Sequence, residues 1–128
     1  MVRIVIPERD ILRSALSRLS VWKMKGVVVH YERRQVRTWA DGRNIKMAEN
    51  GHPDIDCYVK YRDMVGICFF EIKKSHGGKQ SPDQVSFMMK FKDLTNVWYD
   101  LITHPDQIDN RIELITGHYQ RQLEGMSL

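Results

Sequence analysis

Two acidic residues and a lysine have the spacing of a metal-dependent hydrolytic site. Asp54 and Glu71 are separated by about the length of one hairpin, and Lys73 lies two positions after Glu71. Because side chains alternate between the two faces of a strand, Glu71 and Lys73 should point to the same face. Carboxylate oxygens are preferred ligands of Mg²⁺, and a neighbouring cation can neutralise charge on a phosphate. The three residues therefore indicate Mg²⁺-assisted hydrolysis of a phosphodiester bond.

The expected roles within this group follow from the residue types. Asp54, Glu71 and the backbone carbonyl of Ile72 offer hard oxygen ligands to one or two Mg²⁺ ions. Lys73 would orient or deprotonate a water, or neutralise charge in the transition state. A simpler interpretation also fits this fragment: the strand emerges into solvent at Glu71, and Glu71 and Lys73 form a surface ion pair.

Glu8 and Gln84 bear on this choice. Glu8 precedes Ile11 by three residues, so it lies on the apolar stripe of a helix and should point inside, where it could join the cluster as a third carboxylate. Gln84 follows Ser81 by three residues and completes a capping box, which by itself explains a glutamine there. It could in addition touch phosphate or a water near Lys73. Glu8 therefore favours the buried site, whereas Gln84 leaves both interpretations open.

Hydrophobic periodicity predicts the elements that position these residues. The patterns indicate helices over 7–22, 82–96 and 105–115, and strands over 27–31, 55–60, 66–73 and 97–102. The order is α-β-β-β-α-β-α. The link from the third strand to the fourth contains a helix, which implies that these two strands are parallel, whereas short links imply that the first three run antiparallel. We therefore expect an α/β fold with one mixed sheet and helices packed on it.

Length and composition indicate one domain with an affinity for a polyanion. Residues 1–117 form the predicted domain, and 118–128 a frayed polar tail. The 20 basic and 16 acidic residues give a formal net charge of +4. This charge favours binding to nucleic acid, while the mixture of acidic and basic residues argues against a ribosomal or histone-like protein.

The apolar runs are too short for a signal peptide or a membrane span, so we expect a cytoplasmic protein. Cys57 and Cys68 are interpreted as small buried hydrophobes.

The stretch over 33–51 is the least regular part of the chain. It is interpreted as a basic loop with an Asp41-Gly42 turn and short strand pieces. Its arginines could hold the DNA backbone, because guanidinium groups pair with phosphate, although a solvated loop with incidental charge is the alternative. The expected DNA contacts, including one from a later glycine-rich loop, are Arg33, Arg34, Arg37, Arg43 and Lys79.

Four blocks of residues resemble the VRR-NUC branch of the PD-(D/E)XK nucleases. In chain order the blocks are Glu8, residues 51–54, residues 70–73 and residues 78–84. The last two are similar to the family's F-x-E-V-K and G-K-x-S-x-x-Q patterns, with Ile72 in place of the commoner valine. His52 departs from the apolar or small residue that is frequent at its position. The resemblance extends from Glu8 to about Ile115.

The resemblance implies a restriction-endonuclease-like fold and a DNA endonuclease that depends on Mg²⁺ or Mn²⁺. The matching positions are Glu8, Asp54 and Glu71 as acids of the metal site, Lys73 as the catalytic lysine and Gln84 as a supporting residue. Free-standing members of this size, frequent in phages and bacteria, look like Holliday-junction resolvases and are expected to be homodimers. We therefore predict a junction-resolving homodimer in a bacterial or phage-infected cell, with Met88, Met89 and Phe91 as candidates for either its interface or the core.

Two other functions fit the same residues. A nicking, flap or restriction-like nuclease would use the same site on a different DNA. A catalytically inert DNA-binding or assembly module would keep the fold without the reaction, although the intact set of acids and the lysine argues against it.

Overall fold

The fold is a mixed β-sheet with helices packed on both of its faces. The computed structural model describes residues 4–34, 36–38, 44–46 and 50–126, with the backbone alone for 36–38, 44–46 and 126. Within these residues the elements are α1 Glu8–Met24, β1 Val28–Arg33, β2 Val36–Thr38, β3 Asn44–Lys46, β4 Ile55–Tyr61, β5 Met64–Ile72, α2 Pro82–Met89, β6 Val97–Ile102 and α3 Asp106–Met126. None of the helices in the described ranges has the length and apolar character that crossing a membrane requires.

The sheet has the strand order β1-β4-β5-β6. The pairs β1–β4 and β4–β5 are antiparallel, and β5–β6 is parallel. The parallel pair requires a crossover, and α2 lies in that connection. The predicted α/β class, the mixed sheet and the strand directions are therefore confirmed. The basic stretch contributes β2 and β3, which pair with each other as a separate two-stranded ribbon.

Alternation of side chains gives β5 two unlike faces. Phe70 and Ile72 belong to the buried core that also contains residues of α1 and α3. Phe69 lies on the opposite face, where its ring packs edge-on against Phe87 of α2. Glu71 shares the face of Phe69, so the acid lies beneath α2 and away from the two long helices.

Two amphipathic helices cover the core face of the sheet. α1 buries Ile11, Ala15 and Leu19 at helical spacing. Each fully buried aliphatic side chain contributes about 1.5–3 kcal/mol relative to exposure, which offsets the entropy lost on ordering the chain. The corresponding residues of α3 are Ile108, Ile112, Ile115 and Tyr119.

The two cysteines face each other across β4 and β5. Cys57 is the direct cross-strand partner of Cys68, and both are free and buried. Burial raises the pKa of the Cys57 thiol to about 12 and that of Cys68 also well above its ordinary value. Both thiols are thus held in the neutral, unreactive form. The interpretation of these residues as small buried hydrophobes is confirmed.

The first two helices differ from their predicted bounds. α1 begins at Glu8, with Pro7 at the N-cap rather than inside the helix, and continues to Met24. α2 ends at Met89, well before the predicted end at Asn96. Asn96 instead has a positive φ of 64°, a left-handed conformation that asparagine tolerates and that reverses the chain before β6.

The third helix is longer than predicted. The sequence pattern predicts a helix over 105–115, but α3 runs past Gly117 to Met126. A glycine inside a helix is less stable than alanine by about 1 kcal/mol, which favourable packing can offset. Tyr119 supplies such packing, because its ring is buried against Trp98 and its hydroxyl donates to Oδ1 of Asn96 at 3.0 Å. The frayed tail predicted over 118–128 is therefore wrong for residues 118–126.

Replacing Tyr119 with alanine should lower the free energy of unfolding by about 3–5 kcal/mol, because a large buried ring is lost. Tyr119→Phe keeps the ring and should lose only the hydrogen bond to Asn96, about 1 kcal/mol. Urea unfolding followed by circular dichroism measures both values. Equal stability of the two variants and the unchanged chain would mean that this part of α3 does not pack on the core.

Candidate metal centre

The antiparallel pairing of β4 and β5 brings the two predicted acids together. Ile55, the first residue of β4, pairs with Phe70. Asp54 and Glu71 are therefore adjacent at the same end of the strand pair, and both follow the alternation onto the face that carries α2. Oδ2 of Asp54 accepts a hydrogen bond from the backbone N–H of Ile72 at 2.8 Å, which holds the carboxylate against the end of β5.

Glu71 is the one buried charged residue among the described positions, with 2% of its surface exposed. Its Oε1 accepts a hydrogen bond from Nε2 of Gln84 at 2.6 Å. Its Oε2 is buried and has no hydrogen-bond partner in the described structure. A buried carboxylate oxygen without a partner is unfavourable, because the hydration that it loses is not replaced. This oxygen is therefore a candidate ligand for a cation.

The electrostatics of Glu71 support the same interpretation. Burial, next the negative charge of Asp54, and also a hydrogen bond between the two carboxyl groups that only the protonated acid can donate, raise the pKa of Glu71 to about 7. Lys73 and Arg34 oppose this rise but do not cancel it. The neighbouring charge of Asp54 disfavours ionisation of Glu71, whereas added positive charge would favour it. A divalent cation held by Asp54 and Glu71 would supply such charge.

Lys73 completes the group predicted from the sequence. Its Nζ lies 3.5 Å from Oε1 of Glu71 and donates to Oε1 of Gln84 at 3.0 Å. The chain turns back directly over the lysine, since a Cβ added at Gly78 would lie 2.8 Å from the Cβ of Lys73. The absence of a side chain at Gly78 therefore allows this close approach, which confines the lysine stem beside Glu71.

Gln84 serves the helix cap and the site with one side chain. Ser81 and Gln84 form the predicted capping box: the Gln84 N–H donates to Oγ of Ser81 at 3.2 Å, and Oε1 of Gln84 accepts from the Ser81 N–H at 2.8 Å. The same Oε1 accepts from Lys73, and Nε2 donates to Glu71. The predicted capping role is therefore confirmed, and the same side chain contacts Lys73 and Glu71. Its expected contact with phosphate or a water stays a prediction.

The segment before Asp54 packs under α2. Gly51 has a φ of 80° and touches the backbone of Asp83 so closely that any side chain there would collide with it. The ring of His52 packs edge-on against Phe87, with 4.9 Å between centroids, and its Nε2 lies 2.8 Å from Oδ1 of Asp56. The His52 ring thus packs against an apolar aromatic side chain while its Nε2 contacts an acid. These two contacts explain how a histidine suits this position.

Glu8 does not join the two acids. It lies exposed at the first residue of α1, so its predicted place inside is wrong. Across the residues that the structure describes, no three acids, histidines or cysteines stand close enough together to hold a metal ion. The start of α1 nevertheless borders the site, because the Ile6 N–H donates to Oγ of Ser75 at 2.8 Å and the Ser75 N–H donates to the Ile6 carbonyl at 3.1 Å.

The backbone of Ile72 has the orientation that its expected role needs. Its N–H points to Asp54, and the N–H and C=O of one strand residue point to the same side of the strand. The Ile72 carbonyl therefore lies on the edge of β5 that faces Asp54.

Arg34 and Tyr99 border the site, and sequence reasoning missed both contacts. Arg34 was expected to bind DNA, yet its Nη2 lies 3.4 Å from Oδ1 of Asp54. Tyr99 lies beside Phe69 in the parallel register, and burial, together with the charges of Glu71 and Asp54, raises its pKa. The register of distant strands decides both placements, so no local motif could have revealed them.

The other predicted DNA contacts divide into two groups. Arg33 and Lys79 are exposed, as a phosphate-binding residue must be. Arg43 and the Asp41-Gly42 turn lie outside the described residues, and Arg37 is described only through its backbone in β2.

Comparison of the chain with protein-family models, curated proteins and solved structures gives no match. The resemblance to the VRR-NUC nucleases therefore stays a prediction, and the site rests on its own geometry.

The stability of the metal-free chain should depend on the charge of Glu71. Its pKa is about 7 in the folded state against an ordinary value of 4.5, so between these values the folded chain keeps a proton that the unfolded chain has released. The free energy of unfolding should therefore fall as the pH rises from about 5 to about 7, by about 1–3 kcal/mol. Urea unfolding in the presence of a chelator, repeated across this range, measures the fall.

Glu71→Gln, which resembles the neutral acid, should remove most of this fall. Glu113→Gln on the exposed side of α3 is the matched control and should keep the full dependence. The same fall in Glu71→Gln as in the unchanged chain would contradict the assignment to Glu71.

Gln84→Ala should lower the free energy of unfolding by about 2 kcal/mol, since both the cap and the bond to Glu71 are lost. Ser81→Ala removes one hydrogen bond of the cap and leaves the contacts of the site unchanged. It should lower the free energy of unfolding by about 1 kcal/mol. Thermal and urea unfolding compare the two variants. Equal losses would mean that the contacts of Gln84 with Glu71 and Lys73 add nothing to stability.

Proposed function

We propose that this chain is a metal-dependent DNA endonuclease with a restriction-endonuclease-like fold, which cuts branched DNA as a Holliday-junction-resolving homodimer in the cytoplasm of a bacterial or phage-infected cell. One observation carries the proposal: the unpartnered, buried Oε2 of Glu71 lies in a site shared with Asp54 and Lys73. Structural ion pairs seldom leave a buried carboxylate oxygen unsatisfied, whereas a site that receives a cation needs a free oxygen.

The donor set fits Mg²⁺ or Mn²⁺. Asp54, Glu71 and the Ile72 carbonyl supply only oxygen atoms, which these hard cations prefer over nitrogen or sulfur. Burial first, and next the negative charge of Asp54, raise the pKa of Glu71, and a bound cation would favour the charged carboxylate that both effects disfavour. The chemistry supplied by a bound cation would be polarisation of a phosphate oxygen and activation of water.

The residues around these acids have distinct tasks in the proposed reaction. The Ile72 N–H orients Asp54, and Gln84 orients both Glu71 and Lys73. The Lys73 ammonium would neutralise charge that develops on the phosphate and would orient the attacking water. Because α2 and the loop over Gly78 confine this lysine, its charge is directed at the site before substrate arrives.

A homodimer is supported by apolar surface beside α2. Met89 and Leu94 are about half exposed, and a groove of about 350 Å³ opens where α2, β6 and α3 meet, lined in part by Met88 and Met89. Phe91, in contrast, packs on the rings of Phe69 and Phe87 and belongs in part to the core. Two copies related by a two-fold axis would place two sites for symmetric cutting of a junction.

Cleavage of DNAs of different shape tests the function. With Mg²⁺ or Mn²⁺, the chain should cut a four-way junction faster than linear duplex, flap or single-stranded DNA. Cleavage of flap DNA but not of the junction would replace the resolvase by a flap nuclease. Absence of cleavage of every DNA with either metal would overturn the enzyme and favour an inert binding module.

Lys73→Ala should reduce cleavage at least about a hundredfold and leave DNA binding intact, because the lysine acts on the reacting phosphate. Lys74→Ala is the matched control: it removes the same charge from the adjacent, exposed residue and should keep cleavage within about twofold. Single-turnover cleavage and DNA binding without metal separate the two effects. Near-normal cleavage by Lys73→Ala would remove this residue from the mechanism.

A further inference from the structure

Arg34 bridges two parts of the segment that carries Asp54. Its Nη1 donates to the backbone carbonyl of His52 at 2.5 Å, and its Nη2 lies 3.4 Å from Oδ1 of Asp54. Its own backbone N–H donates to the Asp54 carbonyl at 2.7 Å. These contacts follow from the register, because Arg33 pairs with Ile55 and so places Arg34 beside Asp54. The guanidinium is thus held at the acid pair by the fold.

The two oxygens of Asp54 are held unequally. Oδ2 is anchored by the Ile72 N–H at 2.8 Å, so the orientation of the carboxylate does not require Arg34. Oδ1 has the looser, charged contact with Arg34. Among the described residues, this guanidinium and the Lys73 ammonium are the cations that lower the pKa of Glu71. Arg34 therefore supplies part of the positive charge that a metal ion would otherwise bring.

We propose that Arg34 acts through Asp54 as an internal counter-ion: its guanidinium competes with the divalent cation for Oδ1 and thereby lowers the metal affinity of the site. This role rests on the proposed metal centre and differs from the DNA contact expected from the sequence. A counter-ion of this kind compensates the two acids while the site is without metal, and it repels the incoming cation. Removing its charge should therefore tighten metal binding, whereas removing an ordinary supporting residue would weaken it.

Mn²⁺ binding to the full chain without DNA tests this role, with free Mn²⁺ followed by electron paramagnetic resonance. Arg34→Gln, or Arg34→Met as a second neutral variant, should bind Mn²⁺ about three- to tenfold more tightly, the size expected for one partly screened charge. Arg34→Lys keeps the charge and should stay within about twofold of the unchanged chain. Arg13→Gln, on the exposed surface of α1, is the control for net charge and should also stay within about twofold.

The possible results separate this role from the proposed function. Tighter binding in the neutral variants alone supports the counter-ion. Equal or weaker binding by Arg34→Gln, or equal tightening by Arg34→Lys, overturns it and leaves the metal centre standing. If neither the unchanged chain nor Arg34→Gln binds Mn²⁺, the metal centre itself is overturned, and the role of Arg34 with it. Thermal unfolding of each variant verifies that the binding measured is that of folded protein.

Discussion

The burial of one carboxylate, that of Glu71, constrains the whole site. Moving an acid out of water is unfavourable by several kcal/mol unless charge and hydrogen bonds replace its hydration. Here the replacement is partial: Gln84 donates to one oxygen and Lys73 lies beside it, while the second oxygen has no partner in the described structure. The raised pKa is the electrostatic expression of this deficit. This incomplete replacement of hydration lowers the stability of the fold and favours the binding of a cation.

The topology of the sheet places beside Glu71 the residues that partly replace its hydration. Antiparallel pairing of β4 with β5 brings Asp54 to it, and the parallel pairing of β5 with β6 requires a crossover that carries α2 over the same face. Aromatic packing between Phe69 and Phe87 then holds α2 against the sheet. The fold and the site are therefore stabilised in part by the same contacts, so a change in the seating of α2 alters the environment of Glu71 directly.

Local patterns in the sequence determined much of this arrangement. Alternation along β5 placed Glu71 and Lys73 on one face and Phe70 on the other, because a strand has a side-chain period of two. The capping box identified the start of α2, since its two hydrogen bonds join residues only three positions apart. The helical link between the last two strands determined their parallel direction. Each of these inferences needs a short window of the chain and no knowledge of distant contacts.

Tertiary structure decided what depends on register and on contacts between distant segments. The pairing of β1 with β4 placed Arg34 beside Asp54, whereas its sequence context indicated only a basic loop. Helical spacing directed Glu8 inward, yet it is the first residue of α1 and is exposed. The packing of Tyr119 favours the continuation of α3 past Gly117, a residue that disfavours a helix interior. Local periodicity determines on which face of a helix or strand a residue lies. The free energy of packing across the whole chain determines which other residues that face contacts.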